Sequence, residues 1–452
     1  MKNIVLNSLR FIAAGLCLLV SLLANNAKAA TSLYFDQNGA TAGYGSSGSW
    51  DDPNWATASG GTLATGNWVA GDFARFFSTG AYTVTVNADE SMAGLYDTVS
   101  GSTLTINGAG SGDLNVTTVG GTSDFDGDNV QGFLVNGSAS SVIINAPIVG
   151  AGGIDQQLAG SLSLFGNNTY AGGTEVTGGQ VTYYNNDNSF GTGPIIVNGN
   201  AQALVNSSSS ALTIANNIFF TAPNRNINLA GGNPVAGAPG TTFTGTVTLP
   251  SSGTTTLNTS ATATTVDRIS GVISGTSGLT IANAGTLVLS GVNTYTGPTT
   301  ISGPATLKLG VANAIASSSM LAMNGGTLNP GGFNHIMAST QISLAAGTSY
   351  IDFGAGPSIV DFANSSTATW SGTLNLLNFN PSFDFLKFGT DATGLTTAQL
   401  ADIQANGVNA NATIAANGQL IVTIPEPSSA ALGLLGGLSG LGLMWRVKRR
   451  KA

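Results

Sequence analysis

Two stretches of this chain repeat one another at a fixed offset of 125 residues. The first reads Leu162-Ser-Leu-Phe-Gly166-Asn-Asn-Thr-Tyr170-Ala-Gly172-Gly-Thr174-Glu-Val176-Thr-Gly178. The second reads Leu287-Val-Leu-Ser-Gly291-Val-Asn-Thr-Tyr295-Thr-Gly297-Pro-Thr299-Thr-Ile301-Ser-Gly303. In each copy two leucines alternate with other residues, the period of a strand with one buried face. Gly and Asn then supply backbone angles with positive φ for a tight corner. Tyr170 and Tyr295 each bring a large apolar body with a polar tip to the next face. A second corner at Gly172 or Gly297 leads into another short strand, and a third corner into a further one, Thr306 to Leu309. Three short faces in roughly 20–25 residues make one coil of a β-solenoid. A single coil cannot bury its own apolar face, so coils of this kind must stack.

The rest of the composition suits such a stack. Charged residues make up 8% of the chain and Gly 63 of its 452 residues. Amphipathic helices need Lys, Glu and Arg on their outer faces, and this chain has few. Looser strand matches occur at Tyr82-Thr-Val-Thr-Val86, Leu104-Thr-Ile106, Val142-Ile-Ile144 and Gly245-Thr-Val-Thr-Leu249. The aromatics in Leu33-Tyr-Phe-Asp36 and Trp50-Asp-Asp-Pro-Asn-Trp55 read as an N-terminal cap over the end of the stack. Between Phe383 and Leu420 the pattern changes. A short helix capped by Thr396 or Thr397 is expected there, then a hairpin around Asn417-Gly418, together closing the other end.

The ends are of a different kind. Lys2 and Arg10 precede an apolar run from Phe11 to Leu23, and Ala27-Lys28-Ala29 forms an A-x-A-like cleavage site. Residues 1–29 therefore read as a secretory signal peptide cut before Ala30, which implies a secretion translocon and a signal peptidase as partners. The only cysteine, Cys17, lies inside that leader, so the exported body has no disulfides or thiolate-held metals. At the other end Pro425-Glu426-Pro427 precedes an uncharged segment, residues 428–445, and then the basic tail Arg446, Lys448, Arg449, Arg450 and Lys451. At ~1.5 Å per residue that segment reaches about 27 Å, close to a bilayer's hydrocarbon thickness. The positive-inside rule leaves the tail in the cytoplasm and the body outside.

Residues 424–451 resemble the PEP-CTERM sorting signal, which joins a Pro-Glu-Pro triplet, one membrane helix and an Arg-rich end. The resemblance implies that an exosortase-type membrane transpeptidase recognises Pro425, Glu426 and Pro427. An ordinary tail anchor is the alternative. The copies at 161–181 and 286–309 resemble the autotransporter-associated β-strand repeat of secreted parallel β-helices. Residues 30–420 are accordingly expected to form an all-β, right-handed parallel β-helix, flanked by the signal helix and a C-terminal transmembrane helix. Because the chain ends in an apolar segment and a basic tail, self-transport through a barrel of the autotransporter type is not expected.

Few residues suggest chemistry. Between Thr31 and Ile424 stand five Lys and Arg against 20 Asp and Glu, so the body lacks the basic footprint of a nucleic-acid binder. Asp124-Phe-Asp126-Gly-Asp128-Asn129 starts like a calcium loop, but Asn129 and Val135 stand where that loop needs Gly and Glu, and an acidic turn is expected. Glycosidase chemistry needs two carboxylates across a cleft. Asp51 with Asp52, or Asp352 with Asp361, cannot be placed from sequence. His335, the one histidine, falls in a Gly-rich stretch read as a turn and gives no Ser-His-Asp set. No cofactor is called for. The expectation is an exported, non-enzymatic surface or matrix protein, membrane-anchored before processing, with an adhesive or extracellular-polysaccharide-associated role. A polysaccharide-binding or -cleaving β-helix is the alternative.

Overall fold

A computed structural model describes residues 30–423, apart from 46, 98, 118–132, 137–139, 158, 185, 200–203, 207–209, 230–239, 261–263, 317–319 and 355. Contacts divide the chain into two units, the first ending at Gly271 and the second beginning at Val272. Each unit is an all-β parallel solenoid.

In the first unit one ladder runs through Ser32–Phe35, Phe73–Phe76, Gly94–Asp97, Phe133–Asn136, Ile154–Gln156, Thr174–Val176, Ile195–Val197, Ile218–Phe220 and Val247–Thr248. A second joins Ala81–Val86, Thr103–Gly108, Ser141–Ile144, Ser161–Leu164 and Gln180–Tyr183. Glu90–Met92, Leu114–Val116 and Ile148–Val149 form a third face. Pairing is parallel because a coil of three faces returns to its starting face in the same direction.

Alternation decides which side chains enter the core. Leu104, Val142, Leu162 and Val181 are register partners in turn, and all are buried. Ile106, Ile144, Leu164 and Tyr183 make the next column. Burial of each such side chain contributes about 1.5–3 kcal/mol. The register advances 20 residues from Val142 to Leu162 and 19 from there to Val181, close to the expected coil length.

The second unit repeats the plan. Leu287, Leu307, Leu328, Ile351, Leu376 and Ala405 form one inward column, each the register partner of the next. A second ladder holds Gly278–Ala282, Thr299–Ser302, Leu321–Asn324 and Ile342–Leu344. The third holds Asn334–Met337, Ile359–Phe362 and Phe385–Phe388.

Both caps have the expected character. In the first unit Trp55–Ala56 pairs antiparallel with Ser32–Phe35 at the ladder edge, a reversal that the repeat pattern did not foretell. Trp50 and Trp55 are fully buried, and Trp50, Trp55, Trp68 and Phe76 lie with neighbouring ring centroids 4.6–5.9 Å apart. Trp55 Nε1 donates to the Trp50 carbonyl at 2.8 Å, so the indole loses no hydrogen bond on burial. In the second unit Thr396 caps the helix Thr397–Ala401 in a capping box with Gln399. The strands Asn411–Ile414 and Leu420–Thr423 form an antiparallel hairpin across Asn417-Gly418, with Gly418 at φ 80°.

Among the described residues no helix is long and apolar enough to cross a membrane. The signal segment with Ala27 and Ala29, the Pro425–Pro427 triplet, the 428–445 segment and the basic tail all lie outside the described residues, as does Asp124–Asn129. Ala30 is described, half-buried, two residues before the first strand.

Candidate functional site

The repeated motif builds the same corner twice. Tyr170 and Tyr295 are fully buried. The Tyr295 hydroxyl shares a 2.7 Å hydrogen bond with Thr299 Oγ1, and Tyr170 makes the same bond to Thr174. Burial pushes both phenols up, Tyr295 to about 12, so each hydroxyl stays protonated at any ordinary pH. Asn168 Oδ1 accepts from the Ile148 N–H at 2.8 Å on one side, and its Nδ2 donates to the Ser189 carbonyl at 2.7 Å on the other. Asn293 does likewise with Ile273 at 2.8 Å and Ala314 at 2.6 Å. One side chain thus ties a corner to the coil before it and the coil after it.

This corrects the role expected for Asn and Gly. Neither Asn168 nor Asn293 has positive φ; among the described residues the asparagines that do are Asn224, Asn283, Asn313, Asn378 and Asn406. The corner glycines serve close approach instead. A Cβ on Gly166 would lie 2.5 Å from the Ala146 carbonyl oxygen, and one on Gly297 would lie 2.1 Å from that of Ser277. The spacing was legible, but the demand came from the adjoining coil and not from the turn itself.

The carboxylate pairs singled out in the sequence are not brought together as catalytic pairs. Asp51 accepts from the N–H groups of Asn87 at 2.8 Å and Ala88 at 3.1 Å, while Asp52 is exposed. The partner of Asp51 is Glu90, whose carboxyl is pushed up to about 7, first by burial and then by the Asp51 charge. Asp352 brackets Gly354 N and Asn378 Nδ2, whereas Asp361 stands on a different ladder with Lys387, 3.9 Å away. His335 is not in a turn. It lies inside the strand Asn334–Met337, fully buried, where Nδ1 accepts from Asn313 N at 3.1 Å and Nε2 donates to the Pro330 carbonyl at 2.9 Å. Both ring nitrogens are engaged in the neutral form, and burial lowers the pKa.

Three arrangements were missed. Asp267 points into the core of the first unit, accepts from Thr241 N at 3.0 Å, and is pushed up to about 7 by burial. Asp155 and Glu175 face the same way on adjacent strands and are buried. In the second unit a cleft of about 340 Å³ is lined by Asp361, Asn364, Lys387, Thr390, Asp391 and Asn417. A coil-by-coil register would have exposed the Asp155–Glu175 pairing, since the two lie 20 residues apart. The core position of Asp267 has no such signal. Among the described residues no three His, Cys, Asp or Glu side chains converge as a metal cluster.

Comparison with known proteins matches the passenger-associated-transport-repeat family at residues 159–182 and 279–314, the two segments that carry the Tyr–Thr corners. The adhesin BmaC autotransporter of Brucella suis biovar 1 (strain 1330) is 30% identical over 173 residues, which is 36% of this chain and 4% of that protein. No solved structure matches. The chain therefore carries autotransporter-associated β-strand repeats, and it spans a small fraction of the relative's length.

Proposed function

We propose that this protein is an exported, adhesin-like β-solenoid displayed at the cell surface or in the extracellular matrix, acting by presenting its outer faces and not by catalysis. The observation that carries this reading is the pair of matched repeats, in which the motif residues turn inward to bind coil to coil and leave the outward positions free to vary. Similarity to an autotransporter adhesin supports it. Right-handed winding of the coils belongs to this reading, following the handedness of parallel crossovers.

Export follows from the two ends. Signal peptidase cuts between Ala29 and Ala30 after translocon passage, and an exosortase-type transpeptidase acts at Pro425-Glu426-Pro427. Residues 428–445 hold the chain in the membrane until then, stopped by Arg446, Lys448, Arg449, Arg450 and Lys451. Two prolines keep the processing stretch extended, which suits an enzyme cleft. Fractionation with intact-mass analysis tests this. Surface or extracellular protein starting at Ala30 and lacking everything after about Pro427 supports the reading. A full-length C-terminus held in the inner membrane overturns the sorting step, and cytoplasmic protein overturns export.

Association with a polysaccharide is the second reading, favoured by the polar cleft around Asp361, Lys387 and Asp391. Binding of an acidic or neutral glycan that D361N and D391N abolish would support it; equal binding by both variants would sink it.

A further inference from the structure

We propose that the cleft on the outer side of the second unit's third ladder binds an uncharged glycan in preference to an acidic one, holding a sugar hydroxyl between Asp361 and Lys387. This rests on the polysaccharide-association reading above and names the class of glycan. Asp361 and Lys387 are register partners on the strands Ile359–Phe362 and Phe385–Phe388. Val360, Phe362, Leu386 and Phe388 are buried, so by alternation Asp361 and Lys387 stand on the outward side. Both line the cleft of about 340 Å³, a volume at the small end of ligand sites.

Their hydrogen-bonding capacity is unused within the described residues. Asp361 Oδ1 is buried without a partner, and Oδ2 faces only the Lys387 ammonium. That separation is 3.9 Å, too long for a hydrogen bond. It is short enough for a third atom to serve both groups: an oxygen about 2.8 Å from Oδ2 and from Nζ closes a triangle over that base. Such an oxygen must donate to the carboxylate and accept from the ammonium. A hydroxyl does both, whereas a ligand carboxylate only accepts.

The rest of the cleft favours the same class. Asp391 Oδ1 accepts from Thr393 Oγ1 at 2.6 Å and Thr393 N at 2.8 Å, which hold its carboxyl below the usual range. Asp361 and Asp391 against Lys387 leave the lining net negative, and like charge across a binding surface rejects an acidic sugar. Asn417 adds an uncharged amide. Phe385 is half-buried and stands two residues before Lys387, on the same side of the strand. It offers an apolar ring beside the polar groups, and an uncharged sugar presents hydroxyls and a C–H face together.

Titration calorimetry on the full chain tests this at neutral pH. The probes are size-matched oligosaccharides of glucose, galactose and mannose, with oligogalacturonate as the acidic counterpart. At least one uncharged series should bind, and oligogalacturonate should bind roughly tenfold more weakly or not at all. K387M should weaken uncharged binding by roughly tenfold or more. D361N should weaken it too and narrow the gap to oligogalacturonate, because one of two repelling charges is gone; loss of folding alone would not move that ratio. Oligogalacturonate bound as tightly as the uncharged probes overturns this proposal and leaves the polysaccharide reading standing. Uncharged binding that K387M and D361N both leave unchanged overturns it as well. Binding of no probe overturns the proposal and the reading beneath it. The preference of the wild-type chain is measured whether or not a variant folds.

Discussion

The two matched segments share their inward chemistry and differ on the opposite side of the sheet. Tyr170 and Tyr295, Thr174 and Thr299, and Asn168 and Asn293 make the same bonds at the same offset. At that offset Asp155 and Glu175 in the first unit correspond to Thr280 and Thr300 in the second, again register partners. The inner positions answer to packing against adjacent coils, and the outer ones are free to take on charge. A pair of threonines on neighbouring strands is a favourable polar pairing, whereas the two carboxylates there are held by donors from their own unit: Gln157 and Thr177 donate to Asp155, and Asn198 donates to Glu175.

The comparison breaks most sharply at the tyrosines. Y170A and Y295A each remove a fully buried ring and should destabilise their own unit by about 3–5 kcal/mol. Thermal melts combined with hydrogen-exchange protection of each unit's peptides would read this. A large loss in one unit and none in the other would end the equivalence of the corners. Next come N168A and N293A, which strand a backbone N–H and a carbonyl apiece and should cost about 2–4 kcal/mol by the same measurement. Y170F and Y295F remove a single hydroxyl and should cost about 1 kcal/mol each.

A different kind of effect separates the units by pH. In the first, Glu90 and Asp267 titrate near 7 when folded, well above their unfolded values of 4.5 and 3.8. The folded state then holds protons that the unfolded state has lost, so this unit loses stability as pH rises from about 4 to about 7. In the second, buried His335 has a lowered pKa, so its contribution is full above 6.5 and is lost as pH falls below that value. Hydrogen exchange across this range should show opposite slopes. D267N should flatten the first and H335Q the second, and parallel slopes in the two units would refute the assignment.

Much of this was legible in the sequence because solenoid cores obey a period of two. Leu162, Leu164, Leu287 and Leu289 announced their columns, and Thr396 announced its cap, through rules that act within a few residues. What acts between coils was hidden. The Asn–Thr–Tyr triplet was visible, but the bonds from Asn168 to Ile148 and Ser189 depend on residues 20 and 21 positions away. His335 was misplaced for the same reason. Its flanking glycines suggest a turn, while the strand it occupies is set by pairing with Ile359–Phe362. Glu90 and Asp51 met across 39 positions, a distance at which no local pattern speaks.

The corner asparagines also govern how such a chain comes apart. Each is a rivet through three consecutive layers, so a layer cannot peel away without freeing a hydrogen-bonding group in the next. Stretched from its ends, the molecule should therefore yield in discrete jerks, one layer of about 20 residues at a time, each lengthening the thread by about 70 Å. A smooth, stepless extension in a single-molecule pulling experiment would show that the rivets carry no load.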